Sequence, residues 1–274
     1  MTPASEDKTG AAPAIEFRDV SIGFDDQPVL DRVSFVVPRG EMRIILGKVS
    51  SGKSTILKLA IGLLRPDEGQ IFLDGEEITS LPETRLFDKR RRIGVVFQAD
   101  ALFTSMSVAE NVAYRLLEQG KDLDEVEDEV RHTLRLVGLE HALYMMPSEL
   151  SGGMSRRTAL ARGLVGHPEM ILYDSPCSGL DPVIVRHILR VVMRIRDVER
   201  VTSLYVTQNM DEVKYLSSGY FVVVDGRSVF HRERGDFLIS NSRILMLSGG
   251  KLIFDEPDEM FWSSRDPEIR QFLA

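Results

Sequence analysis

Cysteine is nearly missing from this chain of 274 residues: Cys177 stands alone. A single thiol excludes an intramolecular disulfide and suits a reducing compartment. A basic excess is missing too. Thirty-four Lys and Arg face 42 Asp and Glu, a formal net charge of −8, which argues against a general nucleic-acid binder held by phosphate contacts. No uninterrupted apolar run exceeds five residues (Tyr220–Val224 is one), so no bilayer-spanning helix is expected. The five histidines, His132, His141, His167, His187 and His231, are scattered without metal-ligand spacing. Met1 to Pro13 holds no apolar block of the secretory type. What is present is an ordinary globular composition, 43% apolar and 28% charged. It suffices for one large core, or a core with a small appended unit.

Residues 1–14 are small, polar and marked by Pro and Gly, and are read as a disordered tail. Short strand-like runs follow: IEFRDV from Ile15, a turn at Asp25-Asp26-Gln27-Pro28, then SFVV ending at Val37. Met42 to Leu46 reads as a buried strand, and Ser54 to Leu64 as a helix stopped by Pro66. Ile71–Leu73 and Val95–Phe97 are further strands. Between about 101 and 166 the pattern turns helical, with helices predicted at Ser107–Gln119 and Leu123–Val137 and no strand between them. Strands return at Met170–Tyr173 and Leu204–Thr207, separated by a helix over Val183–Arg196. Such alternation implies an α/β fold with a mainly parallel sheet and crossover helices. Near the end, Tyr220–Phe230 and Ile244–Phe254 each read strand, Gly turn, strand. Residues 256–274 read as a helical tail.

The chemistry-bearing segment is Gly47-Lys48-Val49-Ser50-Ser51-Gly52-Lys53-Ser54, followed by Thr55. It fits G-x-x-x-x-G-K-[ST] between a predicted strand and a predicted helix. The glycines let successive N–H groups turn inward on phosphate oxygens, and the following helix adds its positive N-terminal end. Lys53 supplies a compact charge for the terminal phosphates, and the Ser54 hydroxyl can ligate Mg²⁺. These residues imply a P-loop NTPase that binds a nucleoside triphosphate.

Leu150-Ser151-Gly152-Gly153-Met154 resembles the LSGGQ signature of ABC (ATP-binding cassette) ATPases, with Met154 in place of Gln. Other elements match that family in order. Phe24 stands at the adenine-stacking aromatic, Gln98 at the Q-loop, Met170–Asp174 at Walker B, and Ser178-Gly179-Leu180-Asp181 at the D-loop. The resemblance covers about residues 15–215. It implies a P-loop core with an N-terminal antiparallel β-subdomain and an inserted helical subdomain, about 101–166, within a cassette of about 15–255. It implies ATP and Mg²⁺ as ligands, the metal on Ser54, Gln98 and Asp174. It also implies a second cassette, so that Ser151, Gly152, Gly153 and Asp181 serve a neighbour's ATP, and a separate membrane permease. The protein would then sit on the cytoplasmic face of the membrane. Arg90–Glu118 and Asp266–Leu273 further resemble the ATPases of Mla/Mce-type lipid transporters. That likeness implies lipid cargo and a lipid-shuttle partner. A hairpin near 217–243 looks inserted relative to the family pattern.

The pattern breaks at two catalytic positions. Where the family has a Glu after the Walker B Asp, this chain has Ser175; where it has a His after the next strand, it has Gln208. A hydroxyl is a far weaker base than a carboxylate, and a general base contributes roughly 10²–10⁴ in rate. Two readings follow. In one, the chain forms slow sites or relies on an intact partner. In the other, a nearby carboxylate such as Asp181 substitutes. The remaining features have mainly structural readings. Cys177 is expected to be a small buried residue, Asp122–Arg131 a solvated helix face, and Asp88–Arg92 a solvated basic turn. Met145-Met146 is read as core or as the lining of a permease groove.

Overall fold

The structure is a computed structural model and describes residues 12–25, 27–98, 101–232 and 242–273. Most of the predicted N-terminal tail, residues 1–11, lies outside the described residues. Strands β1 (Ile15–Phe24) and β2 (Gln27–Val37) alternate buried and exposed positions and pair antiparallel. They are longer than the sequence pattern suggests. Strand β3 (Met42–Gly47) is buried at every position, as a central parallel strand requires. Helix α1 (Lys53–Ala60) follows the P-loop. It ends before Leu64 because Gly62 takes φ +65°, so glycine rather than Pro66 turns the chain.

Strands β4 (Glu68–Leu73) and β5 (Glu76–Glu77) complete a four-stranded antiparallel sheet of order β2-β1-β4-β5. Helix α2 (Glu83–Arg90) takes in Asp88–Arg90 and so corrects the first part of the turn read at Asp88–Arg92, while Arg91 and Arg92 form an exposed turn as expected. Its last residue, Arg90, donates to the carbonyls of Ile61 (2.8 Å) and Gly62 (2.9 Å), which holds basic charge at the helix's negative end. Strand β6 (Ile93–Val96) then leads into three helices, α3 (Val108–Leu117), α4 (Leu123–Leu136) and α5 (Gly152–Leu164). Ser107 and Glu110 form a reciprocal capping box at the start of α3.

The chain returns through β7 (Met170–Asp174), α6 (Pro182–Arg194), a π-helical turn to Glu199, β8 (Thr202–Thr207) and α7 (Met210–Leu216). A hairpin of β9 (Gly219–Val224) and β10 (Arg227–Arg232) forms its own two-stranded sheet, and residues 233–241 lie outside the described residues. Strands β11 (Ser242–Ser248) and β12 (Lys251–Pro257) precede the short helices α8 (Asp258–Trp262) and α9 (Pro267–Leu273). The two Gly-turn hairpins are therefore not equivalent. The second belongs to the central six-stranded sheet of order β12-β11-β3-β8-β7-β6, parallel except at β12.

Two cores lie on opposite faces of that sheet. Met42, Ile44, Leu46, Tyr173 and Tyr205 join the face covered by α3 to α7, while Ile45, Leu172, Leu204 and Val206 join the face covered by α1 and the antiparallel sheet. Strand alternation makes this division, since successive side chains point to opposite sides. The first hairpin is rooted by the fully buried Arg196. It donates to the carbonyls of Leu216 (2.7 Å) and Gly219 (3.0 Å), while its ion-pair partner Asp197 accepts from the Phe221 amide at 2.8 Å.

Candidate nucleotide site

The carboxyl ends of β3, β7, β8 and β6 lie along one edge of the central sheet, because the four strands run parallel. In open α/β sheets that edge is where ligands bind. The chain leaving β3 enters the glycine-rich loop. Gly47 is buried, whereas Lys48, Val49 and Ser50 are exposed and Val49 is 75% exposed. Gly52 takes φ +94°, and a Cβ there would lie 2.7 Å from the Leu30 Cδ2, so only glycine fits. Lys53 opens α1 and turns its ammonium back across the loop, donating to the Gly47 carbonyl (2.9 Å) and the Lys48 carbonyl (2.6 Å). Burial lowers the Lys53 pKa and the Asp174 charge opposes that shift.

Across the sheet edge, the Ser54 hydroxyl donates to Asp174 Oδ1 at 2.9 Å. Thr55 is half-buried on the same helix. Ser175 follows Asp174 with φ +47°, a sparsely populated conformation for a residue with a Cβ, and its amide donates to the Val206 carbonyl at 3.0 Å. That bond ties the turn after β7 to the end of β8, two residues before Gln208. Gln208 itself is exposed. Gln98 is exposed two residues beyond β6, and among the described residues no hydrogen bond joins its amide to Ser54 or Asp174.

The remaining predicted residues lie apart from this group. Phe24 is 45% exposed at the end of β1, in the other sheet. Helix α5 begins at Gly152, and the Ser151 hydroxyl caps it by accepting from the Met154 amide at 3.3 Å. A Cβ on Gly153 would sit 3.4 Å from Ile184, so the signature segment lies against the first turn of α6. Asp181 caps that helix, its Oδ1 accepting from the amides of Val183 (3.0 Å) and Ile184 (3.1 Å).

Two connections were not legible in the sequence. Arg156, nearly buried on α5, donates to the backbone carbonyls of Phe97 (3.0 Å) and Gln98, which fastens the signature helix to the Q-loop. Behind the strand ends, the Tyr205 hydroxyl donates to Glu212 at 2.7 Å and lies 3.6 Å from the Cys177 sulfur. Cys177 is buried, as expected, and burial pushes its thiol up to about 12. No local pattern in the strand marks this cluster, since Thr202 and Ser203 carry hydroxyls there as well as Tyr205 and Thr207.

The family model of the ABC transporter matches residues 30–178. The chain belongs to the ABC transporter family. It is an ATP-binding subunit of that family and an ABC-type ATPase. The cassette is 37% identical over 221 residues to the intermembrane phospholipid transport system ATP-binding protein MlaF of Escherichia coli (strain K12), covering 80% of this chain and 82% of that protein. It is 35% identical over 261 residues to the probable ribonucleotide transport ATP-binding protein mkl of Mycobacterium leprae, covering 95% of this chain and 68% of that protein. Its fold superimposes on a dimeric ATP-binding cassette in a post-hydrolysis state bound to ADP and Pi, with a TM-score of 0.73 and 25% identity, over 89% of this chain and 98% of that one. No described helix is long and apolar enough to cross a membrane.

Proposed function

We propose that the cassette clamps Mg-ATP in the loop Gly47–Ser54 and drives a lipid transporter through a separate membrane permease, from the cytoplasmic face. The observation that carries the nucleotide reading is the meeting of Ser54 and Asp174 at 2.9 Å beside the Lys53 loop. A hydroxyl and a carboxylate are the hard oxygen donors that Mg²⁺ takes, so these residues fit the metal, with Gln98 as a further oxygen donor. Bound there, the metal would neutralise charge on the terminal phosphates. Lys53 and the amides of residues 48–54 would hold the β- and γ-phosphates, and Phe24 would stack on the base. Ser151 and the Gly152 and Gly153 amides, at the head of α5, suit a phosphate presented by a second cassette, with Asp181 beside them. The cassette is assigned to residues 15–255, its helical part to about 101–166 and its tail to 256–274.

Lipid cargo is supported by the likeness to MlaF, named for phospholipid transport; a lipid-shuttle protein would complete such a system. Ser175 and Gln208 favour slow turnover or a heterodimer with an intact cassette. Calorimetry tests the site: Mg-ATP binding is expected to vanish in Lys53→Ala, and retained binding would refute it. ATP-dependent phospholipid transfer between vesicles by the chain assembled with its permease tests the cargo. Transfer that is independent of ATP, or no transfer beside active hydrolysis, would refute the lipid reading.

A further inference from the structure

Glu212, in the first turn of α7, is 4% exposed and stands four residues beyond Gln208. Its Oε2 accepts the Tyr205 hydroxyl at 2.7 Å, and Thr207, two residues on along the same strand, lies near enough to favour its charged form. Thr207 Oγ1 in turn accepts from the Asn209 amide at 3.0 Å. Tyr205 Oη lies 3.6 Å from Cys177 Sγ. Donor and acceptor roles fix the direction of this network. When the carboxylate is ionised it only accepts, so Tyr205 commits its proton to it and Cys177 is left to donate to the Tyr205 oxygen. One buried carboxylate thereby holds the strand that ends one residue before Gln208 and, through Tyr205 and Cys177, reaches the turn two residues from Ser175.

A buried carboxylate is a costly way to join a helix to a strand, since a well-packed apolar side chain does so without desolvating a charge. Its distinctive contribution is directional geometry. We propose that Glu212 is a positioning residue for ATP turnover, fixing the end of β8 that leads into Gln208 and the Ser175 turn relative to one another through Tyr205 and Cys177. The proposal rests on the reading that Ser175 and Gln208 flank the reacting phosphate. Burial raises the Glu212 pKa, while the bonds from Tyr205 and Thr207 oppose that shift.

The test is steady-state ATPase kinetics on the chain assembled with its membrane permease, comparing Glu212→Gln, Tyr205→Phe and the double variant. The glutamine amide keeps the shape but replaces one carboxylate oxygen with an NH₂ group, which donates and cannot accept the Tyr205 proton, and it removes the charge. Glu212→Gln is expected to lower kcat about tenfold or more, with KM for Mg-ATP and the melting temperature close to the parent's. Tyr205→Phe is expected to lower kcat in the same way, and the double variant to fall no further than the worse single, because both break one network. An unchanged kcat in Glu212→Gln overturns the proposal. So does a parallel loss of kcat, ATP affinity and melting temperature, or simple additivity with Tyr205→Phe. Lys53→Ala separates the two readings. If it abolishes ATP binding while Glu212→Gln turns over normally, the positioning role alone fails; if it binds ATP as the parent does, the nucleotide-site reading fails.

Discussion

The Ser54 hydroxyl donates to the Asp174 carboxylate at 2.9 Å, joining positions 120 residues apart in the chain. The contact places two hard oxygen ligands at the edge where β3 and β7 end, beside the Lys53 loop. Ser54→Ala is expected to weaken Mg-ATP binding by about 10–100-fold. ATP binding in EDTA should match the parent's. Equal losses with and without magnesium, read by calorimetry, would remove Ser54 from the metal's donor set.

Ser175 is held by the Val206 carbonyl and Gln208 begins the segment after β8, so both substituted positions lie on adjoining strand ends. Restoring the family's residues with Ser175→Glu and Gln208→His should raise ATP turnover about tenfold or more in the assembled transporter. A parent that already turns over at several per second without another ATPase subunit would sink the slow-site reading.

Cys177 is inert while the fold is intact. Burial, and the nearby Glu212 charge, raise its thiol from 9.0 to about 12. The native state therefore keeps this proton where the unfolded chain releases it. Its contribution to stability is complete below pH 9 and is lost as pH rises from there through 12. Alkylation by iodoacetamide at about pH 8 should be slow in the native protein and fast in denaturant. In Cys177→Ala the decline of melting temperature above pH 9 should be shallower. Rapid native alkylation, read by mass spectrometry, would contradict this.

Strand β6 and helix α5 meet backbone to backbone. A Cβ at Gly94 would collide with the Gly163 carbonyl, and one at Gly163 would lie 2.8 Å from Val96 Cγ2. Gly94→Ala should cost about 1–3 kcal/mol of stability by forcing α5 away from the sheet. Because α5 holds the Gln98 carbonyl through Arg156, ATPase activity should fall with it. Denaturation midpoints equal to the parent's would show that the approach is not tight.

The nucleotide loop and the strand that carries Asp174 were legible in the sequence, because curling a backbone around phosphates demands glycines at fixed spacing and a buried strand demands an apolar run. Leu150–Met154 was read through its resemblance to the family's signature, since Ser-Gly-Gly by itself reads as a turn. Helix α2 was not legible. Leu86 is its sole buried residue, so it lacks an apolar stripe, and its basic end resembles a turn. Arg156 and Glu212 escaped because their partners lie on other elements, and no local pattern records such pairings.

Asp225 and Gly226 close the β9–β10 hairpin with φ of +50° and +72°, a two-residue reversal that suits the strands' twist. Arg196 and Asp197 grip the other end of the hairpin within the interior. Fastened at its base and solvent-facing at its bend, the hairpin offers a rigid handle. A fluorophore or epitope carried there would report the orientation of the whole cassette while leaving the Lys53 loop untouched.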